Sequence, residues 1–428
     1  MNPAATPITW FWQLWLAAVV FIFPLPGTIA LRNLLLLVGL LALMATLRGA
    51  PRPHPPRSLR PAAWGLVAMT TWLALHSAAI APMPTLALGN LRGDWIVPLL
   101  TAALASYASA RISSEKAVRA AVIALLAHVV WVFAWQARVW VGAGMPAHWP
   151  VVLVPFGQND FQSSLNGMLF ALLVGERISH LLVPSFSIGK SAKAGWIAVV
   201  TSLMGDVVLR VRNGTLITLL QLLAAILLIG KVHRRFLSLV VVVLAVGSAS
   251  ISLDPRWSGL KESLIVGWNS PTLYWQGFKE ELRPRSVTGM PIEQSAYARA
   301  AWAHEAIKAI AENPLGLGFG RDSFGRAVEM KYGYKGMVSS HSGWLDFALA
   351  AGIPGLVLLL LTATLAIRGG WRQFRDHEDP AGLMLAFLVG SYLLRCLLDG
   401  HFSGWRLGLF AFICGVLIAA MKPAPRSA

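Results

Sequence analysis

Apolar runs long enough to cross a bilayer recur along this whole chain, and they leave room for little except helices. "WFWQLWLAAVVFIF", "NLLLLVGLLALMATL" and "GIPGLVLLLLTATLAI" are three of them. A bilayer core offers no water to unpaired backbone groups, and about 20 apolar residues wound as a helix cover its thickness. Twelve runs are read in this way, near 8–25, 28–47, 61–81, 94–110, 119–140, 162–178, 194–211, 214–230, 236–253, 342–367, 381–398 and 405–421. The expected fold is therefore an all-α polytopic membrane protein of about twelve transmembrane helices. Composition agrees, with 56% hydrophobic residues, 13% charged and a mean hydropathy of +0.62. The opening stretch lacks a basic region and a small-residue cleavage site, so it reads as a retained first span. Cys396 and Cys414 both fall inside apolar runs, where they read as small core residues and not as a disulfide framework.

The formal charge of +17 raises the question of a nucleic-acid partner. Its placement answers it. Twelve spans put alternate loops on opposite sides, and one side receives "RGAPRPHPPRSLR", "RISSEKAVR", "ERISHLLVPSFSIGKSAKA", "KVHRR", "RGGWRQFRDHEDP" and "KPAPRSA". These segments hold 18 of the 36 Lys and Arg residues. By the positive-inside rule that side is cytoplasmic, and both termini are expected there. The charge is a topology signal with some affinity for anionic lipid, and it implies no nucleic acid.

One extramembrane segment is large. It runs over 254–341, between spans nine and ten, on the non-cytoplasmic side. The expected division is 1–253 for spans one to nine, 254–341 for this external lid, and 342–428 for spans ten to twelve with the tail. Up to Ser340 the segment carries 11 Lys or Arg and 9 Asp or Glu, so it is nearly balanced. Loops of this length are usually functional. "SAYARAAWAHEAIKAIAEN" predicts a helix with Ser295 as N-cap, ending before Pro314. "NPLGLGFGRDSFG" then predicts turns.

Four groups gather near the outer face. His341 opens "HSGWLDFALAAGIPG", and on a helix its face would continue through Trp344, Leu345, Ala348 and Gly352. A histidine there can also merely cap a helix at the interface. Asp346 lies well around that helix, an unsuitable orienting partner for His341. The second group is "GDVVLRVRNGT", with two arginines in a very short outer turn. Asp206 is spaced to pair with Arg210, which leaves Arg212 without a carboxylate partner, and such an arginine at a membrane edge is a functional candidate. Snorkelling to lipid phosphate is its plainer reading. Third is Arg299 on the external helix near Trp302, a position that is more often simply solvated. Fourth is "LLDGHFSGW", where Asp399 and His401 share an outer turn that also reads as polar filler. HExxH, Cys-x-x-Cys, P-loop, GxSxG and Rossmann patterns do not occur. External carboxylates are too scattered to point to a Mg²⁺ site.

From Ala298 to Leu356 the residues resemble a known family. Arg299 before Trp302, "NPLGLGFG", His341, and the "GIPG" of Gly352–Gly355 are similar to the bacterial O-antigen ligases, whose superfamily includes O-antigen polymerases and protein O-oligosaccharyltransferases. The twelve-span topology with a large loop before the tenth resembles that family too. Its second arginine stands in a Ser-Arg-Gly context after span seven. Here Val-Arg-Asn-Gly replaces the serine and displaces the glycine, which leaves the choice between Arg210 and Arg212 open. "FGQNDFQSSLNG" only partly matches the family's "GN-x-N" stretch.

The resemblance implies a glycosyltransferase of the bacterial inner membrane with a periplasmic active site. It would move a glycan from undecaprenyl diphosphate to the lipid A-core of lipopolysaccharide, with inversion and without a metal or other cofactor. Arg212 and Arg299 would hold the diphosphate, with Arg210 and Arg321 as secondary candidates, and His341 would serve the acceptor hydroxyl. Asp399 and His401 are held in reserve. A polymerase shares the donor chemistry. A lipid-linked glycan flippase, from a different class, would be expected to spread polar groups through its spans.

Overall fold

Among the described residues, almost every stretch with regular hydrogen bonding is α-helical. The computed structural model describes residues 7–46, 53, 55–145, 159–183, 192–209, 211–229, 241, 245, 247–248, 259–269, 272–286, 289, 292–400 and 402–422. In chain order the helices are α1 (Pro7–Ile22), α2 (Ile29–Ala45), α3 (Arg60–Leu75), α4 (Pro84–Leu91), α5 (Val97–Ser109), α6 (Ser114–Gly142), α7 (Asn159–Leu182), α8 (Ala192–Val208), α9 (Arg212–Ile229), α10 (Leu260–Asn269), α11 (Gln294–Glu312), α12 (Ser323–Tyr332), α13 (Gly343–His377), α14 (Pro380–Leu398) and α15 (Gly404–Ala420). Among the described residues, five segments are long and apolar enough to cross a membrane: Arg57–Ile80, α6, α7, α13 and α14. Shorter apolar helices occupy Ile8–Ile22, Ile29–Ala45, Arg212–Leu227 and Gly404–Ala420. The chain is thus an all-helical polytopic membrane protein. The run expected at 236–253 lies almost wholly outside the described residues.

The helix boundaries follow local chemistry. α13 continues to His377 and does not stop near 367, because its polar end still winds as a helix. Glu378 in the left-handed region (φ 51°) then ends it. Asp379 starts α14 by accepting the Ala381 N–H at 3.1 Å, with Pro380 in the first turn, where a missing N–H costs nothing.

Two cores follow. The larger joins the membrane helices around Trp12, Leu73, Leu125, Leu169, Leu383 and Phe412. The second belongs to the segment between α10 and α13, where Tyr274, Tyr297 and Phe324 are fully buried and Leu349 of α13 joins them. Each such aromatic stabilises by about 2 kcal/mol through burial, so this segment is a packed unit and not a slack connection. At Gly267 the α10 backbone meets α11 so closely that a Cβ would stand 2.2 Å from the Tyr297 carbonyl oxygen.

The glycine-rich turn and the kink in α13 form one joint. Inside α13, Gly352 adopts φ 75° and ψ 171°, which breaks the helix. The Ile353 N–H leaves the carbonyl of Leu349 and donates to Pro314 at 2.8 Å, while Leu317 N–H takes over Leu349 at 2.6 Å. Trp72 Nε1–H donates to the Ala351 carbonyl at 2.8 Å, and His76 Nε2–H reaches that of Leu315 at 2.6 Å. "NPLGLGFG" is thereby spliced into the helix ladder.

Candidate functional site

Asp399, the residue after α14, gathers two arginines and an amide from three directions. Arg395, one turn earlier, sets Nε 2.8 Å from Oδ2; Arg299 of α11 sets Nη1 3.2 Å from Oδ1; Asn213 Nδ2 lies 3.5 Å from the same oxygen. Arg299 also donates to the Leu398 carbonyl. Arg212 opens α9 beside Asn213 and places Nη2 3.2 Å from Glu293 Oε1. Glu293 Oε2 accepts the Ala296 N–H at 2.7 Å, so the residue that caps α11 also ties Arg212 to the helix bearing Arg299.

Several expectations change here. Arg212 is not without a carboxylate, since Glu293 reaches it from a segment 81 residues away. The cap of α11 is Glu293 and not Ser295, which lies within the helix. Asp206 is buried, with Asn166 Nδ2 and Thr218 Oγ1 each 3.4 Å from its oxygens. Arg210 and His401 lie outside the described residues. Arg321 is exposed and lines a cavity of about 180 Å³ with Asp94, Ser339, Asp346, Phe402 and Gly400, the residue next to Asp399.

His341 is not on the helix face read from the sequence, because α13 begins only at Gly343. It stands in the preceding turn with φ 58°, a left-handed conformation that a β-carbon makes unfavourable. Its ring stacks on Trp302 at 4.9 Å between centroids and 16° between planes. Trp302 follows Arg299 by three residues, so one face of α11 carries both toward the imidazole. The Trp302 Nε1–H donates to the Trp275 carbonyl at 3.3 Å, which fixes the stacking platform. The ring reaches solvent at the rim, yet loss of hydration lowers its pKa from the ordinary 6.5, and the positive charge of Arg299 lowers it further. Asp399 and Asp160 act in the opposite sense. The lowered pKa favours the neutral imidazole, the form whose lone pair can accept a proton.

The sequence reading missed four charged members. Arg395 is buried and donates to Ser163 Oγ at 2.7 Å. Arg406 pairs with Asp160 at 2.7 Å and lies 4.3 Å over the Phe161 ring. Glu293 is the fourth. Arg395 carried a usable signal: an arginine within an apolar run marks a functional site by default, and Asp399 stands four residues on. Asp160 and Glu293 carried none, since their partners are remote in sequence. Together, four guanidinium groups face three carboxylates beside a neutral imidazole, an arrangement suited to a polyanion and a proton transfer.

Residues 197–360 match the family described as O-antigen ligase. This match over part of the chain supports a member of the O-antigen ligase/polymerase superfamily. Members of this family are glycosyltransferase-like enzymes acting on lipid-linked glycans. The matched stretch includes Arg212, Glu293, Arg299, Trp302, His341 and the joint at Gly352. Asp160, Arg395, Asp399 and Arg406 complete the site from outside it. No curated protein matches the chain.

Proposed function

We propose that this protein is an O-antigen ligase, transferring a glycan from undecaprenyl diphosphate to the lipid A-core at the periplasmic face of the bacterial inner membrane. The observation that carries the reading is the linkage of Arg299, Asn213 and Arg395 through Asp399, with the neutral His341 ring stacked three residues along α11 from Arg299. Arg299 and Arg212 bind the diphosphate, exchanging their carboxylates for phosphate oxygens. His341 accepts the proton of the acceptor hydroxyl. The hydroxyl oxygen bonds to the anomeric carbon as the bond to the diphosphate oxygen breaks, and undecaprenyl diphosphate leaves with the electron pair. One displacement inverts the anomeric centre, and the arginines supply the positive charge that a divalent metal supplies elsewhere. The segment 254–341 acts as the periplasmic lid over this site.

The test offers purified protein a lipid-linked donor with lipid A-core and, separately, with a second lipid-linked repeat. Glycan on lipid A-core is the expected product. Growth of the lipid-linked chain with none on lipid A-core would make the protein a polymerase.

A further inference from the structure

We infer that Asp346 is a positioning residue for His341, acting through Ser339 and the backbone of the turn that carries the imidazole; the inference rests on reading His341 as the base. From sequence Asp346 is an unsuitable partner, five residues on and well around a helix expected to carry His341. Its route is the backbone. The buried carboxylate accepts the Ser339 hydroxyl at 2.6 Å on Oδ2 and the Ser340 N–H at 2.9 Å on Oδ1. Ser339 Oγ in turn accepts the His341 N–H at 2.9 Å, and one hydroxyl can serve both bonds because it offers one donor and two lone pairs. The chain runs from His341 N–H through Ser339 to Asp346.

That chain has something to hold. His341 at φ 58° occupies a conformation unfavourable for a residue with a side chain, and it persists only where the surroundings over-determine it. Asp346 is itself fixed: its N–H donates to the Ser342 carbonyl at 2.9 Å and its carbonyl accepts Ser323 Oγ at 2.9 Å. The turn bearing Asp399 is fitted to the same brace. A β-carbon on Gly400 would lie 2.8 Å from Ser339 Oγ and 3.3 Å from Asp346 Oδ2. The brace therefore sets His341 in register with both Trp302 and the Asp399 pairs. Released, the turn can relax toward extended φ and withdraw the ring from its stack.

The test is a cycle of Asp346→Ala, His341→Ala and the double variant. Single-turnover transfer, donor binding and thermal unfolding in detergent are measured for each. Asp346→Ala should lower transfer about 10- to 100-fold, the scale expected of a misplacement near 1 Å, with donor affinity within about twofold. In the His341→Ala background it should cost nothing more, because the group it positions is gone. Asp346→Asn keeps an acceptor for the Ser340 N–H and should recover part of the rate; if the alanine variant fails to fold, the asparagine carries the cycle. Wild-type transfer in both Asp346 variants, or equal fractional losses in both backgrounds, overturns this inference alone. Wild-type transfer by His341→Ala overturns the reading of the base, and this inference with it.

Discussion

His341 draws its chemistry from residues that pull in opposite directions. Burial and the charge of Arg299 depress its pKa, while Asp399 and Asp160 raise it. The base form is the neutral one, so the rate should hold as pH falls past 6.5 and drop only through the lowered pKa. Arg299→Gln removes one depressing cause and should move that acid limb upward; Asp399→Asn should move it down. A profile of kcat/KM against pH reads both shifts whatever the absolute rate, and a limb that ignores both substitutions would exclude His341 as the titrating group. The arginines allow a second test. Arg212→Lys and Arg299→Lys retain a charge but lose the planar fork, so donor affinity should fall at least about tenfold in each. Wild-type donor binding by either lysine variant would remove that arginine from the diphosphate site. Arg212 was legible in the sequence as a cation out of place, and Arg299 only through the family resemblance. Glu293 was not legible, and Asp399, though singled out, was not read as the partner of Arg299, because ion pairing across 81 and 100 residues leaves no periodic trace.

The joint between the glycine-rich turn and α13 is the decisive element. Helix hydrogen bonding is broken at Gly352 and mended from outside, and both sides of the exchange need glycine. Gly316 sits at φ 88°, where a β-carbon would lie 2.5 Å from the Gly352 nitrogen; one on Gly352 would lie 2.5 Å from the Leu315 carbonyl oxygen. Gly352→Ala therefore combines left-handed strain with a backbone clash, and a loss of about 2–4 kcal/mol is expected. Adding Gly316→Ala should cost much less than its own single effect, since the joint is already open. Thermal unfolding of the three variants in one detergent measures this, and strictly additive losses would show the two glycines to be independent. The glycines themselves announced a turn and a close helix approach. The exchange of Leu349 and Pro314 as acceptors could not be read, because it depends on where two distant segments meet.

Across the whole molecule, the arrangement of charge yields two predictions. With guanidinium groups neutralising the diphosphate, transfer should persist in EDTA; complete loss restored by Mg²⁺ or Mn²⁺ would contradict the arginine reading. The proposed orientation predicts that single cysteines placed between 272 and 286 react with an impermeant thiol reagent in whole spheroplasts, and that cysteines at 376–378 do not; the reverse pattern would invert the topology. What the sequence determined by itself was the class of fold and the candidate residue types, because bilayer crossing and glycine punctuation are local properties of the chain. It also marked His341 and Arg299, whose surroundings in sequence are distinctive. Tertiary structure alone decided that His341 stands in a left-handed turn before α13, that Trp302 stacks on it, and that Asp399 joins α9, α11 and α14. Those contacts arise where helices distant in sequence converge, and the energy that orients a side chain there belongs to the packing between them, which no single segment encodes.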